Sequence, residues 1–513
     1  MVMATTALGG CFVSPEAITE EQHHNRAWAD MQNLYKDVEP LEKPLSLSEA
    51  VSRGLLYNFD YKLGLMEEVL QTQQLTLANF NLLPRIAANA GYRWRDTERA
   101  TTSISLETRN EALEPSFSEE RRGYDADLGF SWNLLDLGLS YYQAKQQSDR
   151  VLAAVERRRR VMNNMVKEIQ TAYWKALSAQ KLAPSVAKLM LDVEAALADS
   201  KEIEKQKLEP PMKTLEYQLN LLKVMSQLKQ LNAELSIAKS QLRSFMNLPP
   251  GQDFKLADEK KKIKALPRIQ TNLKNLQSYS LVFRPELREE GYQERIDKHN
   301  VTKEIIRLFP GLTLLGSTNY DSNRFLAFQS WEQLGVRATW NLINVMQAPK
   351  AIERAETQVE ISQMRRLALS AAVLSQVSIS YNQYVQAVES YKTARDLSLI
   401  ERKMLKASKD GIIASSGTRL ADIQRSAQTL AAEMSRNTAL ADAMAAYANL
   451  SVSVGLDIIP AGYETDSLEE LSGIVDNAYS RIYNNGMDIA ISRARVDKEP
   501  SPAEEEAIAT LAK

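Results

Sequence analysis

The chain has 513 residues, 44% of them apolar, so it can bury a sizeable core and is not disordered as a whole. Its 63 basic and 65 acidic residues leave a formal charge of −2, which excludes the global basic field that gathers nucleic acid, and its single cysteine excludes an internal disulfide framework or a thiolate metal cluster. Only 19 glycines and 17 prolines occur, among long stretches rich in Ala, Leu, Gln, Glu, Lys and Arg, which is the composition of long helices.

No run of about 18 apolar residues is present, so any membrane crossing must use β-strands. At the N-terminus, Leu8-Gly9-Gly10-Cys11 resembles the lipobox of bacterial lipoproteins, in which the cysteine becomes the lipidated first residue. Phe12 after it, by the same resemblance, favours sorting to the outer membrane. The preceding segment lacks Lys and Arg and its apolar stretch is short, so the start of the signal peptide is expected upstream. The alternative is an ordinary free cysteine in a tail.

From about residue 45 the chain is written twice. Asn58 to Pro84 lies without gaps against Arg284 to Pro310 at an offset of 226, and Ser131-Trp132-Asn133-Leu134-Leu135-Asp136 meets Thr339-Trp340-Asn341-Leu342-Ile343-Asn344 at an offset of 208. The difference of 18 residues belongs to the charge-rich stretch Asp96 to Arg122, expected to be a loop. Each copy reads as a short helix, a helix of about 25 residues, a strand, a loop, a strand, a very long helix, a tight break and a returning helix. In the first copy the long helix is expected from about Gly138 to Leu208, on the order of 100 Å at 1.5 Å per residue. It should break at Glu209-Pro210-Pro211 and return to about Leu248. In the second it is expected from about Ala351 to Lys409, with a turn over Asp410 to Gly417 and a return from Thr418 to about Val454.

The four strands alternate with period two. Ile86, Ala88, Ala90, Tyr92 and Trp94 share one face of the first, and Tyr124, Ala126, Leu128, Phe130, Trp132 and Leu134 one face of the second. The third, about 312–320, and the fourth, about 334–343, follow suit with Leu312 and Leu314, then Leu334, Val336, Ala338 and Trp340. Arg93, Arg95, Asp125, Asp127 and Arg337 fall on the opposite, polar faces. Strands of about 9–11 residues, apolar outside, polar inside and aromatic near the ends, are the pattern of a membrane barrel; a sheet half-buried on a soluble core shows the same alternation. Four strands cannot close a barrel, for which about eight are needed, so a barrel would require several chains.

The tandem plan, the Trp-Asn-Leu element after each second strand, the two long hairpins and the stretch Leu420-Ala421-Asp422-Ile423-Gln424-Arg425 together resemble the TolC outer-membrane efflux family over about residues 45 to 457. The resemblance implies a mainly α fold with a transmembrane β-barrel: a homotrimer with four strands per protomer in a shared 12-stranded barrel, and long antiparallel helical hairpins forming a periplasmic tunnel. It divides the chain into 1–44, a signal remnant and N-terminal equatorial segment; 45–257 and 258–457, the two repeats; and 458–513, a C-terminal equatorial segment and flexible tail. It further implies an exit duct for drugs or type I secreted proteins, working with a periplasmic adaptor, or membrane fusion protein, and an inner-membrane pump. In that picture the barrel sits in outer-membrane lipid and its polar faces line the lumen. Asp422 matches the family's acidic gate position near the periplasmic tip, with Arg419 where the family carries a further acid. Glu216, at an offset of 206 taken as the repeat mate of Asp422, and Asp410 complete the gate candidates. The Pro-Pro break departs from the usual glycine-containing tip.

No catalytic motif stands out. His23, His24 and His299 lie outside metal-ligand spacings, and no phosphate-binding loop or nucleophile elbow occurs, so no enzyme and no cofactor is expected beyond a covalent lipid on Cys11. Arg157 to Arg160 reads as the solvated face of a helix rather than a nucleic-acid site. A soluble coiled-coil scaffold or periplasmic adaptor is the competing reading, and it has no use for four amphipathic strands.

Overall fold

A computed structural model of the chain describes residues 15–102, 104–111, 114–206, 209–258, 266–414, 419–457, 459, 465 and 467–485. Cys11 and the tail from Val496 lie outside the described residues, as do the side chains of 409–414 and 419–422.

The elements run α1 (Glu20–Asn33), α2 (Leu47–Tyr57), α3 (Phe59–Phe80), β1 (Arg85–Trp94), β2 (Arg99–Thr101), β3 (Ser116–Glu119), β4 (Arg122–Asn133), α4 (Leu134–Lys205) and α5 (Pro211–Phe245), then α6 (Leu273–Phe283), α7 (Pro285–Ile306), β5 (Gly311–Asp321), β6 (Ser330–Thr339), α8 (Leu342–Ala414), α9 (Arg419–Val454) and α10 (Leu468–Asn485). The repeat is visible to the residue: both bounds of α2 and α3 stand 226 before those of α6 and α7, and the start of α4 stands 208 before that of α8. Pro211 and Pro285 occupy first helical positions, where a missing N–H costs nothing.

Two compact units share the chain. The helical unit comprises Met1–Lys62, Met162–Asn275 and Ser378–Lys513, and the strand-bearing unit Leu63–Val161 and Leu276–Val377. In the helical unit, Leu47, Val51 and Leu55 of α2 and Leu471, Val475 and Tyr479 of α10 join Ile169, Tyr173, Leu242 and Met246 in one buried cluster. Leu45 and Leu256 form a parallel bridge that ties the start of the first copy to its end. Gln180 doubles as a strand partner there, accepting from Leu256 N at 2.8 Å and donating to Leu256 O at 2.9 Å. A second cluster joins Leu182, Val186 and Val193 of α4 to Leu221 and Met225 of α5 and to Ile423 and Leu430 of α9.

In the strand-bearing unit the main sheet is an antiparallel meander, β1-β4-β5-β6, with β1 and β6 as edges. Three expectations are corrected here. The fourth strand is Ser330–Thr339 rather than about 334–343, because Asn341 already turns the chain into α8. The stretch Asp96 to Arg122 is not plain loop: β2 and β3 pair within it, with Glu119 bound by Arg95 at 3.1 Å and Arg99 at 3.0 Å. In the helical unit, α8 continues through Asp410 to Ala414, since one glycine, Gly411, costs a helix only about 1 kcal/mol and no proline stops it.

Arg157 to Arg160 is likewise not a merely solvated face. Arg157 and Arg160 reach Glu289 of α7 at 2.9 and 3.3 Å, Arg158 reaches Glu68 of α3 at 2.6 Å, and Arg159 reaches Glu156 at 3.0 Å. Consecutive residues of a helix point in different directions. Here those directions hold different neighbours, so the run pins α3 and α7 to α4.

Candidate functional site

The Trp-Asn-Leu element has the same chemistry in both copies. Trp132 donates its indole N–H to Leu82 O at 3.3 Å, and Trp340 donates to Leu308 O at 3.0 Å, so the tryptophans tie the exits of β4 and β6 to the segments entering β1 and β5. The next residue starts the helix. The Asn133 side-chain oxygen accepts from Leu135 N at 2.9 Å, and that of Asn341 from Ile343 N at 3.1 Å. Asn133→Ala or Asn341→Ala should each cost about 0.5–2 kcal/mol through loss of this cap, read as a lowered thermal midpoint with unchanged helix content. An unaltered midpoint in both would remove the capping role.

Strand register sorts the sheet into two faces. Ile86↔Phe130, Ala88↔Leu128, Ala90↔Ala126 and Tyr92↔Tyr124 pair on one side, which continues through Trp132↔Leu314 and Leu314↔Val336. This face stays open: Leu334 is 85% and Val336 73% exposed in the single chain, and Ile86, Leu128 and Leu312 are exposed too. Aromatic residues stand at both ends of it, with Tyr92, Trp94, Tyr124 and Tyr320 at one end and Trp132 at the other. The Tyr92 and Tyr124 rings lie 5.2 Å apart. At Gly316 the Phe130 ring occupies the space a Cβ would need.

The opposite face is polar. Asn89 donates to Asp127 at 3.0 Å, and Asp125 lies over Gly91, where a Cβ would fall 2.7 Å from its carboxylate. Arg93 passes Gly123 to reach Asp321 at 3.7 Å. Arg337 pairs in register with Thr313. Arg93, Asp125, Asp127 and Arg337 are thus on one surface of mixed sign. Arg95 is not with them: it stands beyond β1, and Glu119 holds it at the root of the β2–β3 hairpin. Asp321, on β5 and unremarked in the sequence, completes the set; its place on the polar face was readable from the alternation of Ser317 and Asn319.

Two further loops meet at the hairpin end of this sheet. Tyr124 N donates to Ser322 Oγ at 2.7 Å, Asn323 donates to Ser118 O at 2.9 Å, and Arg324 pairs with Glu120 at 3.1 Å. The longer loop of the first copy is therefore braced against the β5–β6 connection.

Helix α7 carries a second polar assembly. Arg295 binds the buried Asp149 of α4 through its Nε at 2.9 Å, and His299 lies 3.8 Å from the same carboxylate. Glu294 faces α8 instead, meeting Arg366 at 3.0 Å, while Asp297 accepts from Ser362. Burial lowers the His299 pKa from its ordinary 6.5, outweighing the opposing pull of Asp149. A histidine with a depressed folded pKa takes up its proton more readily when unfolded, so its contribution is intact above about 6.5 and is lost as pH falls below that value. His299→Gln should flatten this part of the stability-versus-pH curve, and an unchanged slope between pH 7 and 5 would exclude His299 as its source.

Of the gate candidates, Glu216 is exposed on α5, whereas Asp410, Arg419 and Asp422 have side chains outside the described residues. The pairing of Glu216 with Asp422 rests on the sequence alone, since residues 415–418 ahead of α9 lie outside the described residues. Thr214 is buried, with its hydroxyl 3.4 Å from Pro210 O. His23 and His24 lie on α1, none of whose residues is buried. Among the described residues no group of three or more His, Cys, Asp or Glu is placed to hold a metal ion, and no helix is long and apolar enough to cross a membrane.

No family model and no curated sequence relative matches the chain. Solved structures do. The Campylobacter jejuni CmeC outer membrane channel aligns over 92% of this chain and 95% of its own, with a TM-score of 0.62 at 12% identity. The outer-membrane channel OprN aligns over 80% and 89%, with a TM-score of 0.61 at 15% identity. The open state of the Neisseria gonorrhoeae MtrE outer membrane channel aligns over 80% and 89%, with a TM-score of 0.59 at 15% identity. The fold of this chain is accordingly TolC-like, down to the four-stranded sheet that a single chain leaves unclosed.

Proposed function

We propose that the chain is one protomer of a passive outer-membrane exit duct of a Gram-negative bacterium, reaching into the periplasm. The observation that carries this reading is the sheet itself: one face apolar and exposed, one polar and mixed in charge, and both outer edges without a partner among the described residues. Such a sheet is stable when its edges pair with copies of itself and its apolar face meets lipid. Three chains contribute twelve strands, enough for an aqueous lumen. Energy and substrate selection come from an inner-membrane pump and a periplasmic adaptor, and the cargo is a drug or a type I secreted protein. Acylation of Cys11 adds a membrane anchor, but one or two acyl chains only supplement a barrel.

Purified protein in planar bilayers should open discrete ion-conducting steps. Asp422→Ala should weaken both cation selectivity and block by trivalent cations, because three like charges at a constriction attract cations. Absence of conductance steps at any protein concentration would overturn the duct. Steps with identical selectivity and block in the variant would remove Asp422 from the gate and leave the duct standing.

A further inference from the structure

A crevice of 910 Å³ opens in the helical unit between α8, α9 and the segment Leu266–Ile269, with Trp174 of α4 in its wall. Tyr384 fixes that segment. Its hydroxyl donates to Pro267 O, and its ring stands edge-on to Tyr447 with centroids 5.5 Å apart. The crevice is thus bounded by braced elements, and its size is that of sites for small organic ligands.

Its charges do not balance. Arg268, Lys392, Arg395 and Arg436 line it, against Glu389. Lys392 is paired with Glu389 at 2.6 Å, and Arg395 with Asp396 at 3.0 Å. Arg436 has no such partner: among the described residues its guanidinium donates only to the side-chain oxygen of Asn437, at 2.9 and 3.3 Å. Glu433, nearly one turn earlier on α9, is already engaged by Arg402 of α8 at 2.5 Å. Arg402 is itself a cation facing Arg436. Burial first and Arg402 second push the Arg436 pKa below the ordinary guanidinium value. Glu433 also attracts Arg436, so two arginines share one carboxylate, and a half-buried cation served so thinly is costly unless something supplies further negative charge. Tyr381, Tyr391 and Trp174 line the same space and offer aromatic surfaces beside that cation.

We propose that this crevice is a binding site for an amphipathic aromatic anion, with the ligand's acid group on Arg436 and its ring against the tyrosine and tryptophan wall. Every residue involved belongs to one unit of one chain, so the site stands or falls independently of the duct.

The test uses the full chain in phosphatidylcholine nanodiscs, titrated calorimetrically with naphthalene-2-sulfonate and, separately, with the uncharged 2-naphthol. Saturable binding of the sulfonate at one site per chain is expected, with 2-naphthol weaker by about tenfold or more, since a charge-assisted hydrogen bond is lost. Arg436→Gln should weaken sulfonate binding by a similar factor, and Arg436→Lys by less. Without ligand, Arg436→Gln should melt at a higher temperature than the parent, because one of two cations that share Glu433 has been removed. Equal affinity for the two naphthalenes, undiminished sulfonate binding by Arg436→Gln, a lower melting temperature of that variant without ligand, or no saturable binding because a neighbouring copy fills the crevice would each overturn the proposal. The comparison of the two naphthalenes needs no variant and decides the matter even if Arg436→Gln does not fold.

Discussion

Extracted in detergent and run without heating, the protein should migrate at three times the 57.7 kDa mass of the chain, and boiling should collapse it to one. The expectation follows from β1 and β6, whose outer edges have no partner among the described residues. An unpaired strand edge presents a row of free N–H and C=O groups that pairs with another chain wherever it can. In lipid nothing else can satisfy those groups, so closure through further copies is the only stable outcome. The two faces supply an internal control. Leu334→Arg places a charge on the exposed apolar face, at a cost of about 2–4 kcal/mol near the middle of a bilayer. It should sharply reduce the heat-sensitive trimer recovered from membranes. Gln333→Arg, next to it on the polar face, should leave recovery unchanged. A stable monomer in detergent-free buffer, or equal recovery of the two variants, would contradict the barrel.

Arg53→Ala should be among the most damaging single substitutions in the helical unit. Arg53 is 2% exposed, and its environment is built around the guanidinium fork. Nε meets Glu49 at 3.0 Å, Nη1 donates to Glu39 O at 2.7 Å and Nη2 to Pro40 O at 3.2 Å. The side chain therefore fastens the segment entering α2 to the helix itself. Truncation strands two carbonyls and the Glu49 carboxylate together, a loss of about 3–5 kcal/mol by comparison with other broken buried ion pairs. Arg53→Lys should recover only part of it, since an ammonium is a point donor and cannot serve three acceptors in one plane. The readout is the thermal midpoint of helix loss in the assembled protein. A shift no larger than that of a surface substitution would show that the arginine is incidental.

The tandem plan was readable because each copy repeats the same local instructions. Asn133 and Asn341 are followed by apolar, helix-forming stretches, Pro211 lies where only a first helical position tolerates it, and the strands alternate strictly. Those signals act over a few residues, and single sequences state them fully. The fourth strand was misplaced by four residues because Leu342 and Trp340 fit the same alternation as Leu334 and Val336, and only pairing with β5 shows where the ladder stops.

By itself, then, the sequence determined the paired long helices of the two copies and the two faces of the main strands, since periodicity and capping depend on near neighbours along the chain. It also placed Arg93, Asp125, Asp127 and Arg337 on one surface, because alternate residues of a strand must share a side. Only the tertiary structure decided which charges meet. That Arg157 and Arg160 share Glu289, that Arg295 finds Asp149, that Arg53 is buried, and that Arg436 lines a crevice without a carboxylate of its own all depend on how helices pack. Ion pairing falls off over a few ångströms, whereas Arg157 and Glu289 are 132 positions apart along the chain, so no local pattern can encode their encounter.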